Sequence, residues 1–222
     1  MNLVLISALI YLANISLSFI LAVIIIDKLY ISKKFSKEND FHFYNDLFSW
    51  EMFYIFIGIE NIIEIISLFI SSNTGISYIF LRMRILIFFF PFWTKIFHLE
   101  KVMNKITYER HYFAGIIPLI LILVLGFTDL PNIIIIVIFF GTTFIPFLIL
   151  LLFFKNTGTK SVKTLKIIFG LILIGLGYIF KPEIMAGYLG ITESLDVLIM
   201  LTTPILYILG QLLIFESYRK EL

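Results

Sequence analysis

Cysteine is absent from all 222 residues, which removes disulfides, thiolate nucleophiles and cysteine-based metal sites together and leaves the redox compartment open. Charge is scarce, since Asp, Glu, Lys and Arg make up 14% of the chain against roughly a quarter in a soluble domain. Histidine occurs three times, at His42, His98 and His111, without the spacing that places two imidazoles on one helix face around a metal. There is no Gly-x-Ser-x-Gly elbow, no glycine-rich phosphate loop and no pair of catalytic carboxylates on one loop. No long polar block is present to build a separate catalytic or nucleic-acid-binding domain. The expectation is a non-enzymatic chain with no cofactor, no metal and no nucleic-acid partner.

Apolar residues dominate what is there. They form 60% of the chain, with 25 phenylalanines and a mean hydropathy of +1.04, beyond what a soluble core of this size absorbs. A helix needs about 20 apolar residues to cross the hydrocarbon of a bilayer, with a range of about 17–25. Seven stretches meet that need, at residues 2–26, 47–70, 75–98, 112–128, 131–154, 164–180 and 196–217. Backbone amides in lipid must be bonded within the segment, so helices are expected despite the many β-formers. The first stretch lacks a basic n-region and exceeds an h-region in length, so it reads as a permanent span and not a cleaved signal. The sequence therefore predicts an all-α, polytopic fold, one domain over 1–222.

Orientation follows from the bases. Lys28, Lys33, Lys34 and Lys37 lie between spans one and two, and Lys101, Lys105 and Arg110 between three and four. Lys155, Lys160 and Lys163 lie between five and six, and Arg219 and Lys220 follow span seven. The alternate connections hold almost none: Lys181 is accompanied by Glu183 and Glu193 and reads as part of a charge-balanced outer loop. The positive-inside bias then puts the N-terminus outside and the C-terminus in the cytoplasm of a multi-pass cell-membrane protein. The basic loop 27–43 sets this topology, and its interleaved aromatics suit contact with the bilayer surface or a cytoplasmic partner.

Some charges fall inside the spans. Span two carries Glu51, Glu60, Asn61 and Glu64, and span three carries Arg82, Arg84 and Lys95, with His98 at its end. An acid or base near mid-bilayer costs about 2.5–3.5 kcal/mol if it faces lipid, so Glu60, Glu64, Arg82 and Arg84 together would cost about 10 kcal/mol. They are expected to face protein or water. Reflection about the short turn after span two sets Glu64 at the depth of Arg82, Glu60 at that of Arg84, Glu51 at that of Lys95 and Asp46 at that of His98. Helical phase forbids all the pairs at once: Glu60 and Glu64 share a face, whereas Arg82 and Arg84 are about 200° apart. The two acids are expected to bracket one arginine, leaving the other for another helix, a small polar or anionic ligand, or a water-filled cavity. The same set can instead serve only to fix helix register.

Weaker features complete the reading. Asn14, Ser16, Ser18, Thr142, Thr143, Thr202, Thr203 and Gln211 supply hydrogen-bonding groups within spans, worth about 0.6 kcal/mol each between helices. Gly170, Gly175 and Gly177 permit close helix approach, and Pro146 and Pro204 introduce kinks. The run Phe88–Trp93 reads as an interfacial aromatic belt. Span seven has no lysine, which excludes a retinal Schiff base there. The leading function is a sensory or receptor-like module using the buried Glu/Arg cluster; a proton-coupled carrier and a structural membrane subunit are the alternatives.

Overall fold

Apart from a short turn after the sixth and the turn at Arg219, helices make up everything described in the computed structural model, which covers residues 3–35, 46–70, 74–107, 113–126, 132–145, 147, 161–181 and 193–219. They are α1 (Leu3–Phe35), α2 (Asp46–Ile70), α3 (Thr74–Thr107), α4 (Phe113–Gly126), α5 (Asn132–Phe139) running into a π-helical turn (Phe140–Phe144), α6 (Ser161–Ile179) and α7 (Glu193–Tyr218). The chain is all-α. Residues 1–2, 36–45, 71–73, 108–112, 127–131, 146, 148–160, 182–192 and 220–222 fall outside the described residues, and with them His42, His111, the expected kink at Pro146 and much of the basic loops. The side chain of His98 is outside them as well, although its backbone belongs to α3.

Two helices overrun their expected limits. α1 continues to Phe35, so Lys28, Lys33 and Lys34 extend a helix where a loop over 27–43 was expected. Leu29, Tyr30 and Ile31 offer no breaker, and lysine is itself a good helix former. α3 likewise runs nine residues past His98, to Thr107, and carries Pro91 in its interior. Pro91 offers no N–H for the helical ladder, and the hydroxyl of Thr94 donates to its carbonyl at 2.7 Å.

α1 packs along α2 and α7, α2 along α3, α3 along α4, and α6 along α7. α6 meets α2 and α3 chiefly through long side chains. On α1 the buried stripe Ser7, Ala8, Tyr11, Asn14, Ser18, Leu21, Ala22, Ile25 follows the helical period. The opposite face shows Leu5, Leu9, Leu12, Ile20, Val23 and Ile26 to the outside. The same inversion holds round the molecule, for Ile62, Met83, Ile120, Val137, Phe169 and Leu209 on the other six helices are exposed. Among the described residues, one segment, Leu5–Tyr30, is long and apolar enough by length and composition to cross a membrane, with Thr164–Ile179 as a shorter apolar helix.

The expected aromatic belt is a core instead. Phe88, Phe89 and Phe92 are fully buried, because they occupy the face of α3 that looks toward α2, α5 and α6. Phe88 stacks on Tyr178 with centroids 3.9 Å apart, Phe92 meets Phe53 edge-on at 5.6 Å, and Phe89 meets Phe140 of the π-helical turn at 5.4 Å. Such pairs are worth about 0.5–1.5 kcal/mol each beyond the area they bury. Only Phe90 and Trp93 of that run are half-buried.

Candidate functional site

Glu60 and Glu64 lie one turn apart on α2, both within 1% of complete burial, so a single cation can reach both. Two cations do. Arg84 of α3 pairs with Glu64 and holds its Nε 3.8 Å from Oε1 of Glu60, and it donates from Nη1 to the Ser67 hydroxyl at 3.3 Å. Lys181, the second residue past α6, donates to Oε1 of Glu60 and, at 2.8 Å, to Oε2 of Glu64. The centre is formally neutral, two carboxylates against a guanidinium and an ammonium, with Lys181 and Arg84 each only 1% exposed.

Local sequence explains how Lys181 arrives there. Pro182 follows it and disfavours the helical conformation at Lys181, so α6 gives way to a turn in which the Phe180 amide donates to Leu176 at 2.9 Å and the Lys181 amide to Tyr178 at 3.3 Å. The four-carbon stem then points inward. Its ammonium lies 5.1 Å from the ring centroid of Tyr178 and 5.6 Å from that of Tyr207, within the roughly 6 Å over which a cation is drawn to an aromatic face. Oε2 of Glu60, Oη of Tyr207 and Oγ1 of Thr203 are buried without a hydrogen-bond partner.

The structure therefore brings Glu60, Glu64 and Arg84 together and adds Lys181, which sequence reasoning had assigned to an outer loop. The overlooked signal is charge balance, since two buried acids bracketing one arginine leave one negative charge unmatched. Arg82 is also buried, at 6% exposure, two residues earlier and on another side of α3. Lys95 is buried and lies 3.7 Å from the Trp50 ring centroid, with Trp50 in turn against Phe53 and Tyr218; Glu51 beside it is half-buried.

Asn61 departs from the expected cluster. It faces α1, where Asn14 donates to it at 3.2 Å, and its own amide donates to the Ile57 carbonyl at 2.6 Å. Gln211 of α7 donates to Asn14 at 2.5 Å and accepts from Ser18 at 2.8 Å. All four side chains are wholly buried. This second network ties α1, α2 and α7, while the ion cluster ties α2, α3 and α6, and α2 belongs to both. Replacing Asn14 by leucine is expected to lower stability by about 1–2 kcal/mol, because two buried partners, Asn61 and Gln211, lose their bonds. Equilibrium unfolding of the purified variant measures it.

Comparison with known protein families, with curated proteins and with solved structures finds no match to this chain.

Proposed function

We propose that the protein is a seven-span integral membrane protein, N-terminus outside and C-terminus cytoplasmic, acting as a non-enzymatic, receptor-like module. The apolar outer surface of all seven helices supports the membrane placement, because in water so much contiguous apolar surface is an aggregation liability. The polar interior supports it equally, since ionisable groups in lipid face the interior of the bundle.

The observation that carries the receptor-like reading is the reach of Lys181 to both Glu60 and Glu64. That contact, with the Phe88–Tyr178 stack, holds the α6–α7 pair against α2–α3, and a few kcal/mol of ion pairing is the size of a two-state switch. Spin labels on Ile62→Cys and Ile179→Cys, unique because native cysteine is absent, test it in nanodiscs. A single distance is expected for the native sequence, and a second, longer one by several ångströms when Lys181→Met is added. One unchanged distance in both makes the cluster a structural clamp. Solute flux in vesicles that disappears with Glu60→Gln would favour the carrier.

A further inference from the structure

The Lys181 ammonium occupies a cage of defined chemistry. Two carboxylates accept its hydrogens, and two tyrosine rings lie within cation–π distance. That combination, charge-matched acceptors on one side and aromatic faces on the other, is how proteins recognise alkylammonium groups. Further acceptors are unused. Oε2 of Glu60, Oγ1 of Thr203 and Oη of Tyr207 are buried without partners, where buried polar atoms ordinarily find one.

The α6–α7 register brings Thr203 and Tyr207 to this end of α6. A Cβ on Gly177 would lie 3.1 Å from the Thr203 carbonyl and 2.8 Å from the Tyr207 ring, so Thr203 and Tyr207 flank α6 one turn before Lys181. The occupant is also unusual in its tether. Lys181 lies beyond the end of α6, its amide held by the Tyr178 carbonyl in the closing turn, and its side chain reaches into the cage.

We propose that this cage is a binding site for a primary alkylammonium group, filled in the structure by Lys181 as a tethered occupant whose place a free primary amine takes once the lysine side chain is removed. A primary ammonium has N–H donors for both carboxylates, whereas a quaternary one has none. One-for-one exchange keeps two positive charges against two negative; a second cation beside Lys181 leaves an uncompensated buried charge. Coupling of amine binding to helix movement rests on the receptor-like reading, whereas binding itself needs only the cage.

The test is ethylammonium chloride titrated, at constant ionic strength, into the purified Lys181→Ala protein and into the native sequence. The variant is expected to melt roughly 10 °C lower than the native sequence. Ethylammonium restores at least half of that loss saturably and leaves the native protein unmoved, while tetramethylammonium and ethanol restore none. No saturable shift, or equal recovery with tetramethylammonium or ethanol, overturns the proposal. If Lys181→Ala does not accumulate, it is expressed and purified with ethylammonium or with tetramethylammonium present, and folded protein obtained equally with either, or with neither, overturns the proposal. Glu64→Gln/Lys181→Ala, which already sets one carboxylate against Arg84, is expected to give a flat ethylammonium titration. Failure here with a spin-label distance change on Lys181→Met would remove the cage and keep the switch; saturable binding with one fixed distance would do the reverse.

Discussion

Replacing Arg84 by methionine is expected to lower the unfolding free energy by about 3–5 kcal/mol, because it leaves two wholly buried carboxylates against one ammonium. Methionine fills much of the space of the arginine stem, so the loss is electrostatic and not a cavity effect. Adding Glu64→Gln is expected to recover more than half of it. The double variant keeps Glu60 paired with Lys181, and a glutamine still accepts from the ammonium without carrying charge. The two substitutions are thus strongly non-additive, as groups in one ion-pair network are. Denaturant titration of the four proteins of this cycle in one detergent gives the coupling directly. A cost of Arg84→Met below about 1 kcal/mol, or simple addition of the two effects, would show that Arg84 and Glu64 do not neutralise one another.

How much of this was legible follows from the physics of each residue. Glu60, Glu64 and Arg84 stood out because a charge within an apolar run can only face inward, and the Glu60/Glu64 pairing needed nothing beyond the helical repeat. Lys181 did not stand out because lysine at a helix end normally extends its stem toward water, and Glu183 and Glu193 nearby gave it an apparent partner. Depth alone set Glu51 opposite Lys95, but an aromatic face competes for a buried ammonium, and Trp50 lies against it. Asn61 was grouped with the acids by adjacency. One residue is about 100° of rotation, enough to turn it to α1.

Element type was readable and element length less so. The requirement that buried backbone be bonded within the segment gives helices from any sufficiently apolar run, whereas α1 and α3 run on because lysine-rich sequence after an apolar run carries no stop signal. The π-helical turn at Phe140–Phe144 had no signature in composition; its first residue, Phe140, packs against Phe89 and Tyr178.

Glycine at 170 and 210 is expected to tolerate no side chain. A Cβ on Gly170 would lie 2.6 Å from the Gly210 carbonyl oxygen, and one on Gly210 would lie 2.5 Å from that of Gly170. In both cases the obstacle is backbone, so α6 and α7 must part. Gly170→Ala is expected to cost about 3 kcal/mol, the upper end of overpacking, and Gly210→Ala about as much. The double variant costs less than the sum, because the first substitution already opens the gap the second needs. Gly58→Ala is milder, since its Cβ would meet the tip of the Phe19 ring at 3.2 Å and a ring can swing aside. The consequence reaches the ion cluster, because Lys181 follows directly on α6 and moves with it. In a Gly170→Ala background, Lys181→Met is therefore expected to cost less than half of what it costs in the native sequence. Equal cost in the two backgrounds would mean that the lysine stem absorbs the displacement and that close packing of α6 on α7 does not set the geometry of the charged centre.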